Sequence, residues 1–110
     1  MFWIRVKQIT AKDAKSLKDE QNALMVDVRK PKDYEVSHVD GAILADKKEV
    51  HEVIDQEERS RPIICYCYMG ISSRVACKNL KKAGFTNVLN LKGGYDAWKK
   101  TWPEQATPEG

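Results

Sequence analysis

Cys67 ends "PIICYC" (residues 62–67), a β-branched and apolar run that reads as a buried strand. The next residues, in "CYMGISSR" (67–74), bring a glycine, two serines and an arginine before a helix-like pattern begins. A thiol at such a junction has chemical meaning. Gly70 can adopt backbone angles closed to other residues, so the loop can curl tightly. Ser72 and Ser73 open the helix, whose first N–H groups have no intrahelical partner. A curled loop running into a helix start aims N–H groups at one point, and such a nest binds anions. A sulfur at that point is favoured as the thiolate; cysteines at helix N-termini titrate at about 3.5–7.5 instead of about 8.5. No histidine base is required, and His38 and His51 lie far upstream. Ser72 and Ser73 add hydroxyls and Arg74 a permanent charge, suited to an anionic substrate or a terminal persulfide sulfur. Tyr68, Met69 and Ile71 complete the loop, which predicts a nucleophilic Cys67 in an anion-binding cup.

The other polar and sulfur-bearing residues read differently. Cys65 shares strand parity with Cys67 but lies two residues back, inside the strand, and is expected to pack in the core. Cys77 falls in the helix beside its apolar stripe and is also expected to pack. Either becomes a resolving thiol only if it reaches Cys67 at disulfide distance. Three cysteines and two distant histidines fit neither a disulfide framework nor a zinc site. Asp27 and Arg29, at the end of another strand, read as supporting residues. Asp27 is expected to accept hydrogen bonds that fix nearby loops; Arg29 pairs with it, pairs with another carboxylate, or lines the mouth. His38 is expected to organise a turn. Tyr34, Tyr95 and Trp98 read as core or pocket wall, and the lysines at 78, 81, 82, 99 and 100 as solvated helix faces.

The elements that must position these residues alternate along the chain. Strands are expected at 3–9, 23–28, 41–45, 62–67 and 87–91, the fourth being central. Thr10 caps a helix carrying Ala11, Ala14 and Leu17. Pro31 opens a short helix through about Tyr34. A helix over 47–58 turns Val50, Val53 and Ile54 to one face. A helix over 72–83 is expected to turn Val75, Ala76, Leu80 and Ala83 inward, with Gly84 at its end. Gly93 and Gly94 make a tight turn into a last helix with Tyr95 and Trp98. This order implies an α/β fold, a mostly parallel sheet covered on both faces, with its functional crevice beyond the carboxyl ends of the strands. Residues 104–110 are expected to form a flexible tail on a single domain spanning 1–110.

Composition narrows the function. The 110 residues are 42% hydrophobic and 32% charged, ordinary for one globular domain. A net charge of +3 is too mild for a nucleic-acid binder and fits weak attraction of small anions. No stretch approaches a membrane span, and the N-terminus lacks the pattern of a secretory signal. The expectation is a soluble, cytoplasmic protein with no cofactor, no metal, and no nucleic-acid or membrane partner.

Four segments together resemble the single-domain rhodaneses, particularly the small GlpE-like thiosulfate sulfurtransferases. "LMVDVRKPKDY" (24–34) is similar to the family's strand end with Asp-x-Arg and a following aromatic. "SHVDGAI" (37–43) is similar to its Gly-His-Ile-x-Gly-Ala segment, with Ser37 for the glycine. "IICYCYMGISS" (63–73) resembles its cysteine loop, and "LKGGYDAW" (91–98) its closing Gly-Gly-x-x-x-Trp element. The resemblance implies a rhodanese-like three-layer sandwich with a central sheet of about five strands and Cys67 as persulfide carrier. It implies thiosulfate as a sulfur donor. Acceptors would be cyanide, thiols, or dithiol proteins of the thioredoxin type, and the protein a monomer or weak homodimer. Ser72 stands where many rhodaneses carry a basic residue. Met69 and Ile71 make an apolar rim suited to a protein or thiol partner.

Two alternatives remain at this stage. One is a persulfide carrier or interaction module fed by a partner protein. The other is a cysteine-dependent phosphatase or arsenate reductase. Those enzymes need five residues between cysteine and arginine, whereas six, 68–73, separate Cys67 from Arg74.

Overall fold

The computed structural model describes residues 5–46 and 48–108, without the side chains of 48–50, 107 and 108. The elements are β1 (Lys7–Ile9), α1 (Ala11–Gln21), β2 (Leu24–Asp27), α2 (Pro31–Val36), β3 (Ser37–Val39), β4 (Ile43–Leu44), α3 (Lys48–Gln56), β5 (Ile63–Tyr66), α4 (Ser73–Lys82), β6 (Val88–Leu91), α5 (Gly94–Thr101), a 3₁₀ turn (Pro103–Gln105) and β7 (Ala106–Pro108). Five strands form one sheet in the order β1-β6-β5-β2-β4. Every pairing in it is parallel. β5 is the centre, as its β-branched sequence predicts. Of the expected first strand, residues 3 and 4 lie outside the described residues, as does the side chain of Val50 in α3.

Strand parity builds the two layers around this sheet. Met25, Ile64, Tyr66 and Leu91 face α1 and α5, where Ala11, Ala14, Tyr95 and Trp98 complete one core. Leu24, Val26, Ile63, Cys65 and Val88 face the other way, onto Cys77 and Leu80 of α4 and the following Phe85. Cys67 has the parity of Cys65, so its sulfur belongs to the α4 side, next to the start of that helix. Thr10 caps α1 as expected, its hydroxyl accepting from the Asp13 amide at 3.2 Å. No helix among the described residues is long and apolar enough to cross a membrane.

Two expectations are corrected. Val75 and Ala83 are exposed, and the inward stripe of α4 is Ser73, Cys77 and Leu80. Ser73 is drawn inward by its bonds to buried groups, and this sets the phase of the helix. Residues 103–108 are also not free of structure, while 109 and 110 of the expected tail lie outside the described residues. β7 pairs antiparallel with β3, placing Ala106 opposite Val39 and Thr107 opposite His38. The indole of Trp98 donates to the Gln105 carbonyl at 3.2 Å, and that of Trp102 to the Ala11 carbonyl at 2.8 Å. Two aromatic residues thus hold down a segment that its composition marks as loose.

Candidate active site

β5 ends at Tyr66, and Cys67 is the first residue beyond it. Cys67 is 2% exposed and forms the floor of an open cavity of about 210 Å³, lined also by Tyr68, Met69, Ile71 and Ser72. The volume suits an ion of a few heavy atoms and falls below the usual range for larger ligands. The Gly70 amide donates to Cys67 Sγ at 3.2 Å, and Ser73 Oγ lies 3.3 Å from the same sulfur. Burial pushes the thiol up. The Ser72 and Ser73 hydroxyls, followed by the amides of Ser73 and Gly70, outweigh it and bring Cys67 down to about 7. Ser72, the residue before α4, makes no side-chain bond to cap that helix. Among the described residues, the amides of Met69, Ile71 and Ser72 donate to no other group.

Neighbouring elements hold the loop in this shape. The first amides of α5 donate back to it, Tyr95 N to the Cys67 carbonyl at 2.8 Å and Asp96 N to the Tyr68 carbonyl at 3.1 Å. Gly94 permits this approach: a Cβ there would lie 2.7 Å from both the Cys67 and Tyr68 carbonyl oxygens. Gly70 has φ +91°, and a Cβ on it would lie 3.0 Å from the Leu91 carbonyl oxygen. These contacts give the Gly-Gly-x-x-x-Trp segment a physical meaning, since it brings a helix start against the cysteine loop.

Asp27 and Arg29 form a buried support beside the loop. Arg29 Nε contacts both Asp27 oxygens at 3.1 Å, and Nη2 donates to Oδ2 at 2.9 Å and to the Ser37 carbonyl at 2.6 Å. The guanidinium lies 4.0 Å from the ring centroid of Tyr95, whose hydroxyl donates to Ser37 Oγ at 2.8 Å. The open choice for Arg29 thus resolves to the pair with Asp27. His38 stacks on Tyr34 with centroids 3.9 Å apart and its Nδ1 lies 2.8 Å from the Tyr34 carbonyl, the turn-organising role expected of it. Tyr68 extends from the loop to α2, meeting Asp33 through its hydroxyl and accepting from the Lys30 amide at 3.3 Å. Cys65 and Cys77 are fully buried and pack in the same core. Arg74, read as an anion ligand, is exposed and does not line the cavity. As the second residue of α4 it lies one position past the loop, and the six-residue spacing does not close its guanidinium over the sulfur.

Sequence reasoning missed Asn90. It is fully buried in β6 and reaches three groups at once. Its Nδ2 donates to the Gly70 carbonyl at 2.8 Å and to Gln8 Oε1 at 3.1 Å, and its Oδ1 accepts from the Ser73 hydroxyl. Ser73 has one hydroxyl proton and two acceptors, Asn90 Oδ1 and Cys67 Sγ. Asn90 therefore holds both the residue whose amide faces the sulfur and a hydroxyl that serves it. An available signal was the asparagine itself, at a core-facing position of the otherwise apolar "VLNL".

The arrangement is a thiol lowered to about 7 under a small anion-sized opening. Residues 10–101 match the rhodanese-like domain family. The chain belongs to that family. It is 34% identical over 106 residues to the thiosulfate sulfurtransferase GlpE of Pseudomonas fluorescens, spanning 94% of this chain and 96% of that one. A rhodanese-like domain from Anabaena sp., solved by NMR, superposes with a TM-score of 0.74 at 31% identity, over 88% of this chain and 76% of that one. A thiosulfate sulfurtransferase from Pseudomonas aeruginosa shares the fold with a TM-score of 0.81 at 16% identity, covering 96% of this chain and 20% of that longer one. The rhodanese fold expected from the sequence, a parallel five-stranded sheet between helices, is thus the fold observed.

Proposed function

We propose that this rhodanese-family protein is a sulfurtransferase that moves a sulfane sulfur from a small donor, thiosulfate, to a thiophilic acceptor through a persulfide on Cys67. The carrying observation is the Cys67 sulfur lowered to about 7 by hydroxyl and amide donors at the floor of an anion-sized cavity. The Cys67 thiolate attacks the outer sulfur of thiosulfate. The sulfur–sulfur bond of the donor breaks, and sulfite leaves with its electron pair. Cys67 then carries Cys–S–S⁻, and the acceptor takes the outer sulfur and regenerates the thiolate. The amides of Met69, Ile71 and Ser72 are the donors left for the outer sulfur. Gly70, Ser72 and Ser73 serve the inner one, and Asp27 and Arg29 support the loop. Tyr68 is cavity wall. Arg74 contributes charge at the mouth, not a ligand on the sulfur. Cyanide is the assay acceptor, and thiols or thioredoxin-like dithiol proteins are the natural ones. The protein works as a monomer or weak homodimer in the reducing cytoplasm, a compartment that suits its three free thiols.

The test is incubation of the reduced protein with thiosulfate, followed by intact mass and cyanide-dependent thiocyanate release. A gain of one sulfur on Cys67 that cyanide removes is the expected result. An unchanged mass with no thiocyanate would overturn the reading.

A further inference from the structure

The Cys67 cavity is bordered by apolar side chains for which a small anion has no use. Met69 is 66% exposed, Ile71 71%, Val75 63% and Tyr68 39%. These are four of the five large hydrophobic residues that the described chain leaves exposed, Val36 being the other. Tyr68, Met69 and Ile71 line the cavity, and Val75 is exposed four residues past Ile71, in the first turn of α4. Single exposed apolar residues are ordinary, but a group gathered around one reactive atom marks a docking surface.

Charge identifies what docks there. α4 carries Arg74, Lys78, Lys81 and Lys82 and no acid. Lys81 is turned to the Arg5 carbonyl at 2.9 Å. Arg74, Lys78 and Lys82 are exposed and spaced four apart, so they form one stripe beside Val75. Among the described residues none of the three meets a carboxylate. The far side of the cavity is mixed: α2 and the residue before it bring Lys30, Lys32, Asp33 and Glu35. Of these two flanks, the α4 one carries the excess of positive charge.

Resting on the sulfurtransferase reading above, we propose that the acceptor thiol belongs to a protein whose docking surface is apolar around its cysteine and acidic where it meets α4. The partner's thiol gives its proton to the outer sulfur of Cys67–S–S⁻, and the resulting thiolate attacks that sulfur. That sulfur and its proton pass to the partner as R–S–SH. Cys67 leaves as the thiolate, with the bonding electron pair, in the cup that favours this form. Burial of the apolar rim supplies affinity, and the lysine stripe sets orientation and encounter rate.

Three cysteine peptides of equal length test this as acceptors from thiosulfate-loaded protein. In the first, Leu and Phe flank the cysteine and a Glu-rich segment follows. The second replaces Glu with Lys, and the third replaces Leu and Phe with Ser. The first is expected to show the highest kcat/KM, about tenfold above the second at low salt, with the gap narrowing as salt rises. Lys78→Glu/Lys82→Glu should invert the preference between the first two peptides and leave thiosulfate–cyanide turnover unchanged. Val75→Ser should slow both apolar peptides and spare cyanide. Equal rates for the three peptides, or a preference unmoved by the charge reversal, would overturn the docking surface. Normal cyanide turnover beside such a result leaves the sulfurtransferase reading intact, whereas failure of thiosulfate to load Cys67 sinks that reading instead.

Discussion

Asn90 Nδ2 lies 2.8 Å from the Gly70 carbonyl oxygen, while the Gly70 amide lies 3.2 Å from Cys67 Sγ. A buried amide two strand positions past Val88 thus acts on the nucleophile through the peptide unit it anchors. Replacing Asn90 by Ala leaves the Gly70 carbonyl without its partner and the Ser73 hydroxyl with Cys67 Sγ alone, at a cost of about 1–3 kcal/mol. The alkylation midpoint of Cys67 should also rise, by about one unit, because the Gly70 amide loses its aim at the sulfur and that loss outweighs the Ser73 proton set free for it. Asn90→Asp keeps the shape and the acceptor but removes the donor and adds negative charge near the sulfur, so its midpoint should rise at least as far. A midpoint unchanged in both variants would reduce Asn90 to a packing residue.

The pH dependence follows from the sign of the Cys67 shift. Its thiol falls to about 7 in the folded chain, below the about 8.5 of an unfolded one. Ionisation then favours the folded state. That contribution is complete above the unfolded value, shrinks between the two, and is lost as pH falls through about 7. The rate of Cys67 alkylation should therefore rise with a midpoint near 7, and the difference in Tm between the wild type and Cys67→Ser should grow from pH 6 to pH 9. Ser72→Ala and Ser73→Ala should each move the alkylation midpoint upward, since both hydroxyls lower it. A wild-type midpoint at or above 8.5 would contradict the geometry of the cup.

The three cysteines should separate by function. Cys67→Ser removes the sulfur that bears the persulfide, and thiocyanate release should fall to background. Cys65 and Cys77 share the core on the α4 side, and Cys77 Sγ lies 3.5 Å from the Leu89 carbonyl. Cys65→Ser should cost about 1–3 kcal/mol by burying a new hydroxyl, yet the folded variant should retain most of its turnover. Cys77→Ser has that carbonyl as a ready acceptor and should cost less. Thermal melts and thiocyanate assays on the three variants check this, and loss of turnover in folded Cys65→Ser would give that residue a role in transfer.

The cysteine loop was legible because its chemistry is local. A strand, a glycine, two serines and a helix start occur within a dozen residues, and each has its own backbone consequence. The helix caps and the central strand were legible for the same reason. What escaped depends on long-range partners. Asn90 is an asparagine like any other until the sheet places it beside Gly70 and Ser73. β7 was hidden because "ATP" pairs one strand-favouring threonine with two residues depleted from strands, and gains its pairing from β3 and two tryptophans. Val75 was misplaced because apolar character was weighed above helix phase, and the phase is set by Ser73 turning inward.

Gly94 should be the least replaceable glycine of the site, and a paired substitution can show why. Its φ is +59°, and a Cβ would meet the Cys67 and Tyr68 carbonyl oxygens at 2.7 Å. Gly41 has φ +80° with nothing within 4 Å of an added Cβ. Gly41→Ala therefore pays backbone strain alone, about 1–3 kcal/mol. Gly94→Ala adds displacement of two carbonyls that accept the first amides of α5, so it should lower Tm by roughly 10 °C beyond Gly41→Ala, at about 4–8 °C per kcal/mol for a domain of this size. It should also raise the alkylation midpoint of Cys67, which Gly41→Ala leaves in place, because only Gly94 sits against the loop. Equal losses of Tm in the two variants, with the midpoint unmoved in both, would mean that the approach of α5 does not shape the cup.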